Sequence, residues 1–312
     1  MSITVVGSVA FDAVKTPFGE RERMLGGAAT HFALAASFFD EVHVVGRVGA
    51  DFGDEDLGVL ATRGTRIGDV ERVPDGKTFF WAGEYGWDLN SRDTLDTQLN
   101  VFEDFQPRLS APSRDCDVLF LANIQPELQL SVLAQCGQLQ FVAMDSMNLW
   151  IDIARDALVE VIRRVDCVML NDAELRQLTN RPSIVAAARD VLAMGPSLVV
   201  AKQGEYGAAL ITEDHFFALP AYPLETVVDP TGAGDTFAGG FVGHLARSLD
   251  KPLTQPVVRL AMAYGTALAS YNVEEFGTER VERLTAGEVD VRVAELRAIT
   301  QFEHSPAPLE TS

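Results

Sequence analysis

Residues 229–240 read Asp-Pro-Thr-Gly-Ala-Gly-Asp-Thr-Phe-Ala-Gly-Gly, a glycine-rich turn that runs straight into an amphipathic helix. Gly232 and Gly234 can take backbone angles closed to other residues, so the N–H groups of Gly232, Ala233 and Gly234 can converge on one point. The helix start adds roughly half a positive charge at the same place. The result is a hole for an anion, suited to a phosphoryl group, with Asp235 as a carboxylate base in its first turn. An N-cap aspartate alone would explain the acid and leave Gly-Ala-Gly unexplained. Within the helix, Phe237, Phe241 and Leu245 recur four apart on one face. Gly239, Gly240 and Gly243 lie inside it, each costing about 1 kcal/mol against alanine, so a close neighbour is expected.

Three other segments carry residues of chemical interest. Asn171 and Glu174 follow the apolar run Cys167–Leu170 and would share a face of a helix starting there, where they also fit a capping box. Lys202-Gln203-Gly204-Glu205-Tyr206-Gly207 lies between two apolar runs and reads as a hairpin. Phe79, Trp81, Tyr85 and Trp87 occupy odd positions around Gly83, and a strand of period two would put them on one face. Such a β-excursion would cover a ligand or a partner subunit; the alternative is a plain strand of the main core. His31 has no second ligand at metal spacing, so a structural role competes with ligand contact.

The scaffold must hold these segments together. Ile3–Val6, Val42–Val45, Val118–Leu121, Phe141–Met144, Cys167–Leu170, Leu198–Ala201 and Ala208–Ile211 read as strands. Thr30–Phe39, Glu55–Thr62, Glu127–Cys136, Ile151–Arg164, Ser183–Met194, Thr236–Ser248 and Val257–Tyr271 show helical period. Their alternation predicts an α/β fold with a doubly wound, mostly parallel central sheet flanked by helices, whose ligands gather at the carboxyl ends of strands. The tail from Phe302 reads as frayed. A chain of 312 residues with 47% hydrophobic content can bury a large core. Its 25 basic and 45 acidic residues sum to a net charge of −20, which argues against nucleic acid as a partner. A nucleotide remains admissible, because its phosphates meet local dipoles and Mg²⁺ rather than the charge of the whole chain. No long apolar run and no basic-then-apolar leader is visible, so no membrane partner and a cytoplasmic location are expected. Cys116, Cys136 and Cys167 lack Cys-x-x-Cys spacing and read as reduced, buried thiols. Walker-A and Rossmann glycine patterns are absent.

The turn at 229–235 resembles the C-terminal signature of the ribokinase or PfkB family of small-molecule kinases, Asp-Thr-x-Gly-Ala-Gly-Asp, with Pro230 in place of the first threonine. The resemblance runs over about residues 3 to 280. It implies a ribokinase-like fold with a small β-lid over the substrate site, built from 12–25 plus 73–104, and a large catalytic domain from 1–11, 26–72 and 105–312. It implies Asp235 as catalytic base beside the Gly232-Ala233-Gly234 anion hole. Asp12, in Gly-x-x-x-x-Asp after the first strand, would hold sugar hydroxyls, with Gly26-Gly27 and Trp81 also toward the substrate. Asn171, Lys202, Gly204 and Gly207 would lie on the nucleotide side. Glu174 and Asn171 would organise Mg²⁺ through water, as suits its hard, hydrated chemistry. A monovalent cation near Asp229 and a homodimer through the lid are further family features. Two departures stand out: Ala28-Ala29-Thr30-His31 replaces an asparagine-bearing helix start, and Asp145-x-x-Asn148 lacks the arginine that follows in relatives. The activity implied is ATP-dependent phosphoryl transfer to a hydroxyl of a sugar or sugar-containing molecule. A ribonucleoside kinase is the alternative, and a non-catalytic sugar- or nucleoside-binding protein the third reading.

Overall fold

The structure, a computed structural model, describes residues 1–250 and 253–302. The expected fraying of the tail concerns residues outside that range, apart from Phe302 itself. Nine strands form the main sheet: β1 Ser2–Val6, β4 Glu41–Gly49, β5 Arg66–Val73, β8 Val118–Leu121, β9 Phe141–Asp145, β10 Cys167–Asn171, β11 Leu198–Lys202, β12 Ala208–Ile211 and β13 Phe216–Leu219. Their spatial order is β13-β12-β11-β10-β9-β8-β1-β4-β5, parallel from β11 to β5, with β12 and β13 antiparallel at one edge. Four strands, β2 Ala10–Thr16, β3 Gly19–Gly26, β6 Phe79–Tyr85 and β7 Arg92–Gln98, form a second sheet in the order β3-β2-β6-β7.

The near-continuous apolar runs of the parallel strands have a direct cause, since both faces of the main sheet are covered. Ile3, Val5 and Phe120 enter one core with Phe32, Phe237 and Phe241, while Val6, Leu119 and Leu121 enter a second with Val161, Leu175 and Val191. Every strand read from the sequence is present. Strands β5, β7 and β13 were not marked by apolar runs; β7 is exposed along all its residues and so shows no alternation.

The helix expected over Ile151–Arg164 is two helices, Asn148–Ile153 and Arg155–Ile162, because Ala154 leaves the helical region at φ −136° and ψ 32°. Neither Gly nor Pro marks that break, so the apolar period runs across it unsignalled. A further helix, Ala286–Thr300, buries only Val289 and Leu296, too sparse a stripe to stand out in sequence. Among the described residues no helix is long and apolar enough to cross a membrane. The three cysteines are free; Cys116 and Cys167 are buried, and Cys136 is only half-buried.

The glycines of the helix Ala233–Ala246 find their expected neighbours. A Cβ on Gly239 would collide with the Phe32 carbonyl, and one on Gly243 would lie 2.7 Å from Phe39 and 3.0 Å from Ala36 Cα. On the other side, a Cβ on Gly240 would lie 2.9 Å from Gly265 Cα. The helix is therefore clamped backbone to backbone between the helices Ala28–Ala36 and Gln255–Asn272, which fixes the turn at its N-terminus.

Candidate active site

Asp229 anchors the entry to the glycine turn. Its Oδ1 accepts from the Thr231 N–H at 2.9 Å and its Oδ2 from the Gly277 N–H at 3.0 Å. Gly232 follows in the left-handed region at φ 73°, where a Cβ would strike the His31 ring, and Ala233 begins the helix. A buried polar network braces this turn from behind. Asn272 donates through Nδ2 to the Thr231 carbonyl at 2.7 Å, and its Oδ1 accepts from Thr236 Oγ1 at 3.0 Å. His31 Nδ1 lies 3.0 Å from that same Oδ1. Burial pushes the imidazole down to about 4, so it is neutral and Nδ1–H is the donor. His31 thus supports the back of the turn.

Asp235 stands half-buried at the helix start, where the Ala233 N–H also donates to the Pro230 carbonyl at 3.2 Å. Burial, reinforced by the charge of Asp145, raises its carboxyl to about 7, while Lys202 and Arg92 of the second sheet pull the other way. Lys202 ends β11 and pairs with Asp145 at the end of β9. A Cβ on Gly234 would lie 3.2 Å from Lys202 Nζ, so the ammonium runs beneath the turn. Burial lowers the Lys202 pKa, but Asp145, Glu174 and Asp235 outweigh it and the net shift is upward, keeping the cation charged.

Asn171 and Glu174 form the capping box: Asn171 Oδ1 accepts from Glu174 N–H at 2.8 Å, and Glu174 Oε2 accepts from Asn171 N–H at 2.8 Å. The cap does not exhaust Glu174. Among the described residues only its Oε2 serves the cap, and burial raises the carboxyl to about 7 despite Lys202 nearby. No group of three or more His, Cys, Asp and Glu suited to direct metal ligation occurs among the described residues.

Asp12, 6% exposed on β2, lies against Gly26, where any Cβ would collide with its carboxylate. Gly27 takes φ 96°, and a Cβ there would sit 2.8 Å from Ala10 N. The glycine pair therefore permits close approach of β2 and the helix Ala28–Ala36, whose first N–H groups bond Ser8. Burial raises Asp12 to about 7, with the charges of Asp229 and Asp235 adding to the shift.

Over this floor stands the second sheet. Parallel register pairs Trp81 with Asp12. Trp81 packs across Gly83, its Nε1 donates to Thr94 Oγ1 at 3.4 Å, and the Arg92 guanidinium lies 5.0 Å from its ring centroid. The Tyr85 hydroxyl accepts from Thr231 Oγ1 at 3.2 Å, and Asn90 Nδ2 donates to Glu205 Oε1 at 3.0 Å in the Lys202–Gly207 loop. Gly204 at φ 58° and Gly207 at φ 97° shape that loop. The expected four-residue aromatic face is corrected at both ends. Trp87 lies beyond the strand in a turn and is 90% exposed, while Phe79 stacks on Phe102 at 5.6 Å. Asn148 is exposed at the start of its own helix. Sequence reasoning singled out neither Arg92, a polar residue of an exposed strand without a motif, nor Thr231, which fills the variable position of the glycine-turn signature.

A glycine turn at a helix start, a carboxylate raised to about 7 beside it and a lysine beneath it form an arrangement that can support phosphoryl transfer. The model of the pfkB family carbohydrate kinases matches residues 2–283, and the chain belongs to that family of ATP-dependent small-molecule kinases. It is 33% identical to the cytidine kinase of Thermococcus kodakarensis over 270 residues, 84% of this chain and 94% of that one. The fold is similar to a Burkholderia thailandensis nucleoside kinase solved with inosine (TM-score 0.77, 20% identity, covering 94% of this chain and 97% of that one). It is also similar to a putative ribokinase II from E. coli solved with ATP and Mg²⁺ (TM-score 0.74, 21% identity, 94% and 99% covered).

Proposed function

We propose that the protein transfers the γ-phosphoryl group of ATP to a sugar hydroxyl of a nucleoside. The observation that carries the chemistry is Asp235 at the helix start, held near neutrality and facing the same space as Asp12. As the new bond forms, Asp235 takes the hydroxyl proton, and the N–H groups of Gly232, Ala233 and Gly234 hold the developing charge. Asp12 accepts from sugar hydroxyls. Lys202, with Gly204 and Gly207 shaping the adjacent loop, serves the nucleotide side. Mg²⁺, when bound, neutralises phosphate charge, and Asn171 and the second oxygen of Glu174 suit its water shell. Both oxygens of Asp229 already hold the turn through N–H groups, so we assign it to the loop rather than to a monovalent cation.

The nucleoside reading rests on Trp81 beside Asp12, which offers a ring face where a base would extend from the sugar, and on the cytidine and nucleoside kinases among the similar proteins. The second sheet acts as a lid. Its outer strand β7, with Leu95 62% exposed, is the edge through which a homodimer would form. The test is ADP release with cytidine, inosine, ribose and deoxyribose as acceptors. A higher kcat/KM for a free pentose than for every nucleoside would overturn the acceptor class, and no ADP release with any of them would overturn the activity.

A further inference from the structure

The space between Asp12, Asp235 and Glu174 is short of cations. Asp145, Asp229, Asp235, Asp12 and Glu174 border the site, and Lys202, the cation of the floor, is already paired with Asp145. The transferring phosphoryl group spreads negative charge over three oxygens, and GTPases of an unrelated fold meet that charge with an arginine supplied in cis or by a partner. One arginine is placed to do so here. Arg92 opens β7 directly opposite Tyr85, whose hydroxyl is bonded to Thr231 in the glycine turn. Its guanidinium lies over Trp81, the register partner of Asp12, so both geometric links aim it at the gap between lid and floor. Lys15 and Arg21, on the neighbouring strands of the same sheet, pair with Glu84 and Glu279, whereas Arg92 makes no ion pair among the described residues.

We propose that Arg92 is a catalytic residue that closes from the lid onto the γ-phosphoryl group and neutralises its oxygens during transfer. In that step the bond from the γ-phosphorus to the β,γ-bridging oxygen breaks, its electron pair staying on ADP. The acceptor oxygen forms the new bond and its proton passes to Asp235. The inference rests on the kinase reading above.

The full-length protein and its R92A, R92K and R92Q variants test it through two readouts, ADP release and calorimetric binding of MgADP with and without aluminium fluoride and acceptor. R92A should lower kcat about a hundredfold, with acceptor and ATP KM changed less than about threefold. Binding of the MgADP–aluminium fluoride mimic should weaken by a similar factor while MgADP alone binds as before, and added guanidinium ion should restore part of the R92A rate. Unchanged kcat in R92A, a loss confined to acceptor KM, or undiminished binding of the mimic each overturns the role. If the wild-type protein releases no ADP with any acceptor, the kinase reading fails and this role falls with it; an active wild type with an equally active R92A removes Arg92 alone.

Discussion

The floor of the cleft and its lid are held by opposite means. Behind the glycine turn, Asp229, Asn272, Thr236 and His31 form a buried network, and the helix it begins is clamped by backbone contact at Gly239, Gly240 and Gly243. The tip of the lid meets the floor through hydrogen bonds such as Tyr85 to Thr231 and Asn90 to Glu205, and β7 is exposed throughout. The floor is therefore built before any ligand arrives, as electrostatic stabilisation requires, since dipoles that must reorganise during reaction contribute less. The tip contacts are weak by comparison, since a part-buried and an exposed hydrogen bond contribute only about 1 kcal/mol each. Asp12 joins the two: it belongs to the lid sheet by strand and to the floor by burial.

If that division holds, the largest loss comes from the floor. Asp235→Asn keeps the shape of the turn and removes the base, so kcat should fall at least about a hundredfold while ATP affinity stays within a few-fold. Steady-state kinetics with a nucleoside acceptor, alongside calorimetric ATP binding, checks both halves. Near-normal turnover would remove Asp235 from the chemistry.

The same carboxylate sets the pH dependence. A base raised to about 7 must be ionised to act, so kcat/KM should fall about tenfold between pH 8 and pH 6. Stability runs in the opposite direction. Asp12, Asp235 and Glu174 are all raised to about 7, so between about pH 4 and pH 7 the folded protein holds protons that the unfolded chain has released. The ligand-free protein should thus lose thermal stability as pH rises through that window, and Asp12→Asn should flatten the slope. A melting temperature that climbs from pH 5 to pH 7.5 would contradict the burial of these groups.

What could be read before the fold was known follows the same division. The glycines and acids of the floor are forced by backbone geometry: Gly232 by its positive φ and the His31 ring, Gly26 by the Asp12 carboxylate, Gly239 by the Phe32 carbonyl. Such demands leave residue types in the chain at fixed spacing, and the parallel strands likewise leave apolar runs. The outer strand β7 of the lid imposes no such demand. Arg92 works at the end of an exposed strand whose polar sequence resembles any solvated surface, and Trp87 kept the odd-numbered spacing of the aromatics although the strand had already ended at Tyr85. The role of His31 also stayed open, because its partner Asn272 lies 241 residues away.

A smaller effect separates the two uses of Glu174. Glu174→Gln keeps an acceptor for the Asn171 N–H and so keeps the cap, but it removes the charge. The Mg²⁺ concentration for half-maximal activity should rise several-fold with little change in melting temperature. Glu174→Ala should add a loss of about 1 kcal/mol in stability from the broken capping box. If the glutamine variant has an unchanged Mg²⁺ requirement, Glu174 serves the helix alone.

The smallest expected change lies in the lid and tests the comparison from its weaker side. Trp81 is braced by Thr94 and Arg92 and stands in register with Asp12, so a base attached to a sugar held by Asp12 would meet its ring. Stacking contributes about 1 kcal/mol beyond buried area, which corresponds to roughly fivefold in affinity. Trp81→Ala should accordingly raise the nucleoside KM about fivefold, leave the KM for ATP within twofold, and leave kcat nearly intact, because the floor still positions the reacting groups. Ribose, which has no base to stack, should show no such change. Sizing chromatography of the same variant separates a lost stacking surface from a lost subunit contact: a shift to smaller species would assign the effect to a dimer through the lid. Should Trp81→Ala lower kcat more than it raises the nucleoside KM, the ring would serve chiefly to hold the Arg92 guanidinium over the cleft rather than to stack on a base, and this part of the lid would belong to the chemistry that Arg92 brings and not to recognition.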